Sequence, residues 1–184
     1  MPGPLALAPC SGTIPSVTSP NDIGDAAWLK DDVDVLGGGA HLAPDGTFTA
    51  SEGQSIASVD AFISQIVIAS ASAGVPYRFT GYLKSLEGGP NWMRCDISDF
   101  VANAGQVWFD FKNGVKGTVN NVGDATVQCS QITASNNGYW FFDFSVSFTS
   151  AHSDVRFVFL WADADGGTTA TIGQDFDFWG IGTT

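Results

Sequence analysis

From Trp140 to Phe148 the chain alternates strictly, with Trp140, Phe142, Phe144, Val146 and Phe148 interleaved with Phe141, Asp143, Ser145 and Ser147. Successive side chains of an extended strand point to opposite faces, so this period describes a strand with one dry face and one more polar face. A helix would spread the same residues around its circumference. Residues 139–149 are therefore predicted as the longest strand, with the first set in the core and Tyr139, Phe141, Asp143, Ser145 and Ser147 outside. The same reading places Phe157, Phe159 and Trp161 together, and Phe176 and Phe178 against Asp175 and Asp177. Met93, Cys95 and Ile97 likewise oppose Trp92, Arg94 and Asp96.

Shorter runs of the same kind fill the chain. Strands are predicted at residues 33–36, 47–50, 62–69, 77–84, 92–97, 107–112, 126–132, 155–161 and 175–181. Between them stand turn signals: Gly37-Gly38-Gly39, Pro44-Asp45-Gly46, Gly74-Val75-Pro76, Gly88-Gly89-Pro90, Lys112-Asn113-Gly114, Ser135-Asn136-Asn137-Gly138 and Asp165-Gly166-Gly167. Asn and Gly tolerate the positive φ that tight hairpins need. With 14 Phe, 6 Trp and 22 Gly in 184 residues, this is an all-β chain whose two dry faces pack into an antiparallel sandwich.

Residues 1–22 differ. Pro2, Pro4, Pro9, Pro15 and Pro20 remove donors and fix φ there, which excludes a helix or an inner strand. An extended proline-rich arm over 1–22, followed by one domain over 23–184, is the expected organisation. Such an arm becomes ordered only against another surface.

Seven basic against 19 acidic residues give a formal net charge of −12. A nucleic-acid binder neutralises phosphates with Lys and Arg, so nucleic acid and anionic membrane are both excluded as expected partners. No apolar run approaches the roughly 20 residues of a membrane span. The first twelve residues carry no Lys or Arg, so they do not read as a secretory signal, and synthesis in a cytoplasm is expected. Cys10, Cys95 and Cys129 are odd in number and lack metal-ligand spacing. Buried thiols are expected at Cys95 and Cys129, with a strand-to-strand disulfide between those two as the alternative.

Catalytic chemistry is hard to assemble from these residues. The two histidines, His41 and His152, stand in presumed loops without a paired ligand, and the two glutamates, Glu52 and Glu87, do so too. No nucleophile elbow or phosphate loop occurs, so the expectation is a protein that is not an enzyme, with no catalytic residue and no metal ligand. Asp163-Ala-Asp165-Gly166 is similar to the start of an EF-hand loop, but Gln174 stands at its twelfth position. A plain hairpin is expected there, no cofactor is assigned, and a structural Ca²⁺ is the alternative. The outward-pointing Tyr82, Lys84, Trp92, Arg94, Trp108, Asp110 and Tyr139 form the candidate glycan- or partner-binding face. Sugar rings stack on aromatic side chains and orient through polar groups. Protein interfaces enrich the same residue types, and Trp108 would instead be core if its register were shifted by one.

From about Trp28 onward the motifs resemble, in order, the carbohydrate-binding-module-like, concanavalin-like jelly-roll domains of tailed-phage structural proteins. Asp25-Ala-Ala-Trp28 resembles the family's first strand, Pro44-Asp-Gly-Thr-Phe-Thr-Ala50 its P-D-G-x-x-T-A turn, and Tyr77-Arg-Phe-Thr-Gly-Tyr-Leu-Lys84 its Y-x-F-S-x-Y-L-K strand. Val107-Trp-Phe-Asp-Phe-Lys-Asn-Gly114, Gly138-Tyr-Trp140 and Phe176-Asp-Phe-Trp-Gly-Ile-Gly182 are similar to its later hairpin, its G-W-Y-R strand and its closing strand. Phe141 replaces the usual Arg, and the closing Gln is missing.

The resemblance implies a two-sheet antiparallel jelly-roll β-sandwich at a virion surface. It further implies a structural role as a capsid decoration, head fibre or tail-fibre component held by other virion proteins, as a homo-oligomer, with trimers common in such settings. The alternative it carries is an adhesion module for host or environmental polysaccharide.

Overall fold

The computed structural model describes residues 8–86 and 92–182. Two predicted features, Glu87 and the Gly88-Gly89-Pro90 turn, lie outside those residues, as does the start of the arm. Among the described residues twelve strands form two six-stranded sheets. Sheet A has the order β2 (Val33–Leu42), β3 (Phe48–Ser55), β12 (Asp175–Trp179), β5 (Tyr77–Ser85), β10 (Trp140–Phe148) and β9 (Ala125–Ala134). Sheet B has the order β1 (Leu29–Asp31), β4 (Phe62–Ala71), β11 (His152–Ala162), β6 (Trp92–Ser98), β7 (Ala104–Asp110) and β8 (Val115–Val122). All neighbouring strands pair antiparallel. The molecule is a jelly-roll-like β-sandwich.

The alternating residues fill the space between the sheets. Phe142, Phe144, Val146 and Phe148 of β10 meet Phe157, Phe159 and Trp161 of β11, and Phe176 and Phe178 of β12, all 0–1% exposed. Phe79 is the hub: it stacks on Phe157 at 3.7 Å between ring centroids and meets Phe142 edge-on at 5.2 Å. Each such side chain removes enough apolar surface for about 1.5–3 kcal/mol. Trp140, expected among them, is only partly buried. Its ring lies across Gly114 so closely that a Cβ there would run into the indole. Gly114 also has φ +67, so its turn requires glycine twice over.

Several boundaries differ from expectation. Asp25–Trp28 is a turn, not a first strand: the Asp25 carboxylate accepts from Ala27 N (2.8 Å) and the Asp25 carbonyl from Trp28 N (3.1 Å). β2 continues through its three glycines, because register breaks at 35/37, 38/41 and 41/42 let the strand bulge without leaving the sheet. β8 has no counterpart among the predicted strands. Its sequence, VKGTVNNV, is mostly exposed, so this edge strand lacks the apolar alternation that marks the others.

The arm finds its surface on its own domain. Thr13 pairs in parallel with Tyr77 of β5, and Thr18 exchanges two hydrogen bonds with the side chain of Gln65 on β4 (2.8 and 3.0 Å). Val17 packs against the core. The bond that fixes the arm is a disulfide between Cys10 and Cys129 of β9. That corrects both readings of Cys129, as a buried thiol and as the partner of Cys95, which is a free thiol buried in the core. Cys95 and Cys129 belong to different sheets, whereas Cys10 lies directly against β9.

Candidate functional site

The seven outward residues occupy two surfaces. Tyr82 and Lys84 belong to sheet A, with Tyr139 immediately before its β10, while Trp92, Arg94, Trp108 and Asp110 belong to sheet B. The alternation assigns their direction correctly, but it carries no information about which sheet a strand joins.

On sheet B the register sets side chains in rows. Phe62, Leu160, Arg94 and Trp108 are successive cross-strand neighbours, and so are Ser64, Val158, Asp96, Gln106 and Asn120. Phe62, Leu160, Arg94, Val158, Asp96 and Gln106 of these rows floor an open cleft of about 480 Å³, within the range of small-ligand sites. Asp96, 2% exposed, lies at its base. Arg94 Nε donates to both Asp96 oxygens at 3.0 and 3.1 Å and Nη2 lies 2.9 Å from Oδ2. Gln106 Nε2 donates to the same carboxylate at 3.3 Å, and Gln106 Oε1 accepts from Asn120 at 2.8 Å. Burial pushes the Asp96 carboxyl above the ordinary carboxylate range, while Arg94 and Gln106 pull it back.

The wall is a loop from 99 to 103 that contributes Phe100, Val101, Ala102 and Asn103. Asp99 Oδ1 accepts from the backbone N–H of Val101, Ala102 and Asn103 at 2.9–3.0 Å. Burial alone would raise Asp99, but the Asn103 amide and those backbone donors bring it down to about 2. Phe100 sits at φ +61, a strained value for a residue with a Cβ. It remains 46% exposed. Its ring meets Phe62 at 5.4 Å, and the Arg156 guanidinium lies 4.6 Å from its centroid. Asp31 and Asp60 stand at the cleft as well. The cleft thus combines an exposed aromatic edge with fixed hydrogen-bonding groups.

Three predicted residues serve structure beside this cleft. Trp108 does point outward, but the chain after β11 covers it and its Nε1 donates to Gly167 O at 2.8 Å, leaving it 3% exposed. Arg94 lies 5.7 Å from its ring. Asp110 is buried and caps the turn after β7, accepting from Lys112 N, Asn113 N and Asn113 Nδ2 at 2.8–3.0 Å. Trp92 is partly buried against Gly117 of β8. The expected Asp163–Asp165 loop turns its carboxylates to different donors, Thr171 N (2.8 Å) and Thr118 N (2.6 Å).

Sheet A carries a second cluster. Tyr82, partly exposed, meets Phe141 at 5.0 Å and Trp179 at 5.4 Å. Beside it, Glu52, Asp177 and Lys84 are direct cross-strand neighbours on β3, β12 and β5. His41 reaches over them, with Nδ1 2.7 Å from Asp177 and Nε2 3.0 Å from Glu52. Burial raises both carboxyls, His41 lowers them, and Asp175 and Asp177 add repulsion at Glu52. Tyr139, 1% exposed, lies beneath with Lys84 Nζ 5.7 Å from its ring. Burial and the Asp177 charge raise its phenol.

Neither histidine is the solvated loop residue expected, and Glu52 is a strand residue. The bulges in β2 that bring His41 over the sheet leave no mark in the residue pattern. His152 opens β11 between Asp99 (3.2 Å) and Asp124 (2.9 Å).

No protein-family model matches the chain, and no curated protein matches it. Among the described residues no helix is long and apolar enough to cross a membrane.

Proposed function

We propose that this chain is a non-enzymatic glycan-recognition module, working at the surface of a tailed-phage virion and binding polysaccharide in the cleft on sheet B. The observation that carries the binding half is the pairing of Phe100, an exposed ring held in a strained backbone, with the Arg94–Asp96–Gln106 floor. A sugar ring stacks its C–H face on an aromatic edge and exchanges hydroxyl hydrogen bonds with fixed polar groups. The virion setting rests on the ordered motif resemblance, and the cytoplasmic synthesis of the chain goes with it. A Cys10–Cys129 disulfide suits a protein whose working place is outside the cell.

An arm that holds neighbouring virion proteins would be free of its own domain. Here Ala8, Cys10, Thr13, Val17 and Thr18 are engaged by that domain, which shifts the balance from assembly to adhesion. The structural reading retains one specific support. Leu42 and Phe48 form an exposed cross-strand pair at the end of the β2–β3 hairpin, 40% and 68% exposed, and Leu36 on the same strand is 52% exposed. Such a patch fits contact with a second protein or a second copy.

Screening the full chain against an array of bacterial capsular and O-antigen oligosaccharides tests the main reading. Saturable binding is expected, weakened at least tenfold by Phe100→Ala and by Arg94→Ala, and unchanged by Tyr82→Ala. An array with no binder would overturn it, and an intact-virion composition that changes on Phe48→Asp would favour the structural reading instead.

A further inference from the structure

The cluster on sheet A has an electrostatic fault that one histidine does not repair. Glu52 and Asp177 are directly opposed across two strands, and like charges in that relation repel. Asp177 is 1% exposed, so water does little to screen it. The bulged β2 swings His41 between them. Lys84, the other cation of the row, reaches toward the Tyr139 ring. A separate observation concerns Tyr139. It is 1% exposed, and its hydroxyl lies within hydrogen-bonding reach of the Asp177 carboxylate. The His41 ring nitrogen stands 2.7 Å from Asp177 Oδ1.

One imidazole nitrogen and two carboxylates supply the donors that Zn²⁺ favours. One donor atom from each of the three side chains can be chosen so that all lie within 4.8 Å of one another. Zn–N and Zn–O bonds of about 2.0–2.2 Å place ligands of one ion roughly 3–4.5 Å apart, so the three donors share one ion once the carboxylate facing the far ring nitrogen turns toward it. We infer that His41, Glu52 and Asp177 form a Zn²⁺ site that ties β2, β3 and β12 together, with the Tyr139 hydroxyl turned toward it. The ion replaces the proton shared with one ring nitrogen of His41. The dication neutralises the opposed pair. This site lies on the opposite sheet from the glycan cleft and stands independently of it.

The test is calorimetric titration of the EDTA-treated, dialysed full chain with ZnCl₂, with CaCl₂ in parallel. One Zn²⁺ per chain is expected, at micromolar Kd or tighter, with Ca²⁺ at least tenfold weaker because it takes oxygen ligands. Glu52→Gln should weaken Zn²⁺ at least tenfold and His41→Ala should abolish binding. His152→Ala should leave it unchanged, which separates this site from the other histidine and its two aspartates. Circular dichroism checks that the variants fold, and Glu52→Gln decides the matter if His41→Ala does not fold. Absence of saturable Zn²⁺ binding, a preference for Ca²⁺, or binding lost in His152→Ala but kept in Glu52→Gln would overturn the assignment.

Discussion

Asp143 shows how much a single outward position can carry. Alternation along β10 puts it on the polar face, where solvent would be the ordinary neighbour. Instead it is fully buried. Arg78 grips it with both ends of the guanidinium, at 2.8 and 3.0 Å, while Cys10 N and Gln131 Nε2 donate to Oδ2 at 2.8 and 2.9 Å. Removing one partner of such a pair strands the other charge, so Asp143→Ala is expected to cost about 3–5 kcal/mol. Urea denaturation measures this, and Ser147→Ala, further along the same face, should change stability by less than about 0.5 kcal/mol. The same limit on legibility applies to Trp108 and Tyr139. Direction follows from the period of the strand, whereas exposure depends on what later chain lies over it. The 163–168 segment covers Trp108, and the β2–β3 hairpin together with Asn136–Gly138 closes over Tyr139.

At the scale of elements, the arm is the part whose role the residues least reveal. Its prolines announce an extended segment without saying where it docks. The partner of Cys10 is apparent only once β9 is in place, because pairing depends on spatial neighbours 119 residues apart in sequence. Closing so long a loop restricts the unfolded chain, and the expected stabilisation is about 2–4 kcal/mol. Cys10→Ser/Cys129→Ser should therefore melt several degrees below wild type under oxidising conditions, with the difference vanishing when both are reduced. An unchanged melting temperature would mean that the arm is held by its hydrogen bonds and Val17 alone. The strongly alternating strands, by contrast, are readable because each has one face in the core. β8 and the distal half of β2 escape because an exposed edge strand and a bulged glycine run impose no such pattern.

For the whole molecule, the sandwich is legible from local period and turn chemistry, but the candidate cleft is not. Alternation already puts Arg94 and Asp96 on one face of β6, but the pairing of β6 with β11, which brings Phe62, Val158 and Leu160 alongside them, is encoded by no local pattern. The wall of the cleft should also make stability depend on acid. Asp99 is held down to about 2 from an ordinary 3.8. A depressed carboxyl contributes stability that is present above its unfolded value and lost as pH falls through its folded value. Its share is thus complete above about pH 4 and disappears toward about pH 2. Asp124, on the other side of His152, is also lowered to about 2, chiefly by Ser150, and acts in the same window. Asp99→Asn should flatten the fall of unfolding free energy across that window, followed by chemical denaturation at each pH.

Polysaccharide held in the proposed sheet B cleft would sit on the face opposite Tyr82 and Trp179. Nuclear magnetic resonance of the ¹⁵N-labelled chain, titrated with an oligosaccharide bound on the array, reads this residue by residue. The account predicts saturable shifts at Arg94, Asp96, Phe100 and Gln106, including the Arg94 side chain. Shifts confined to Tyr82, Phe141 and Trp179, with the cleft resonances unmoved, would contradict it.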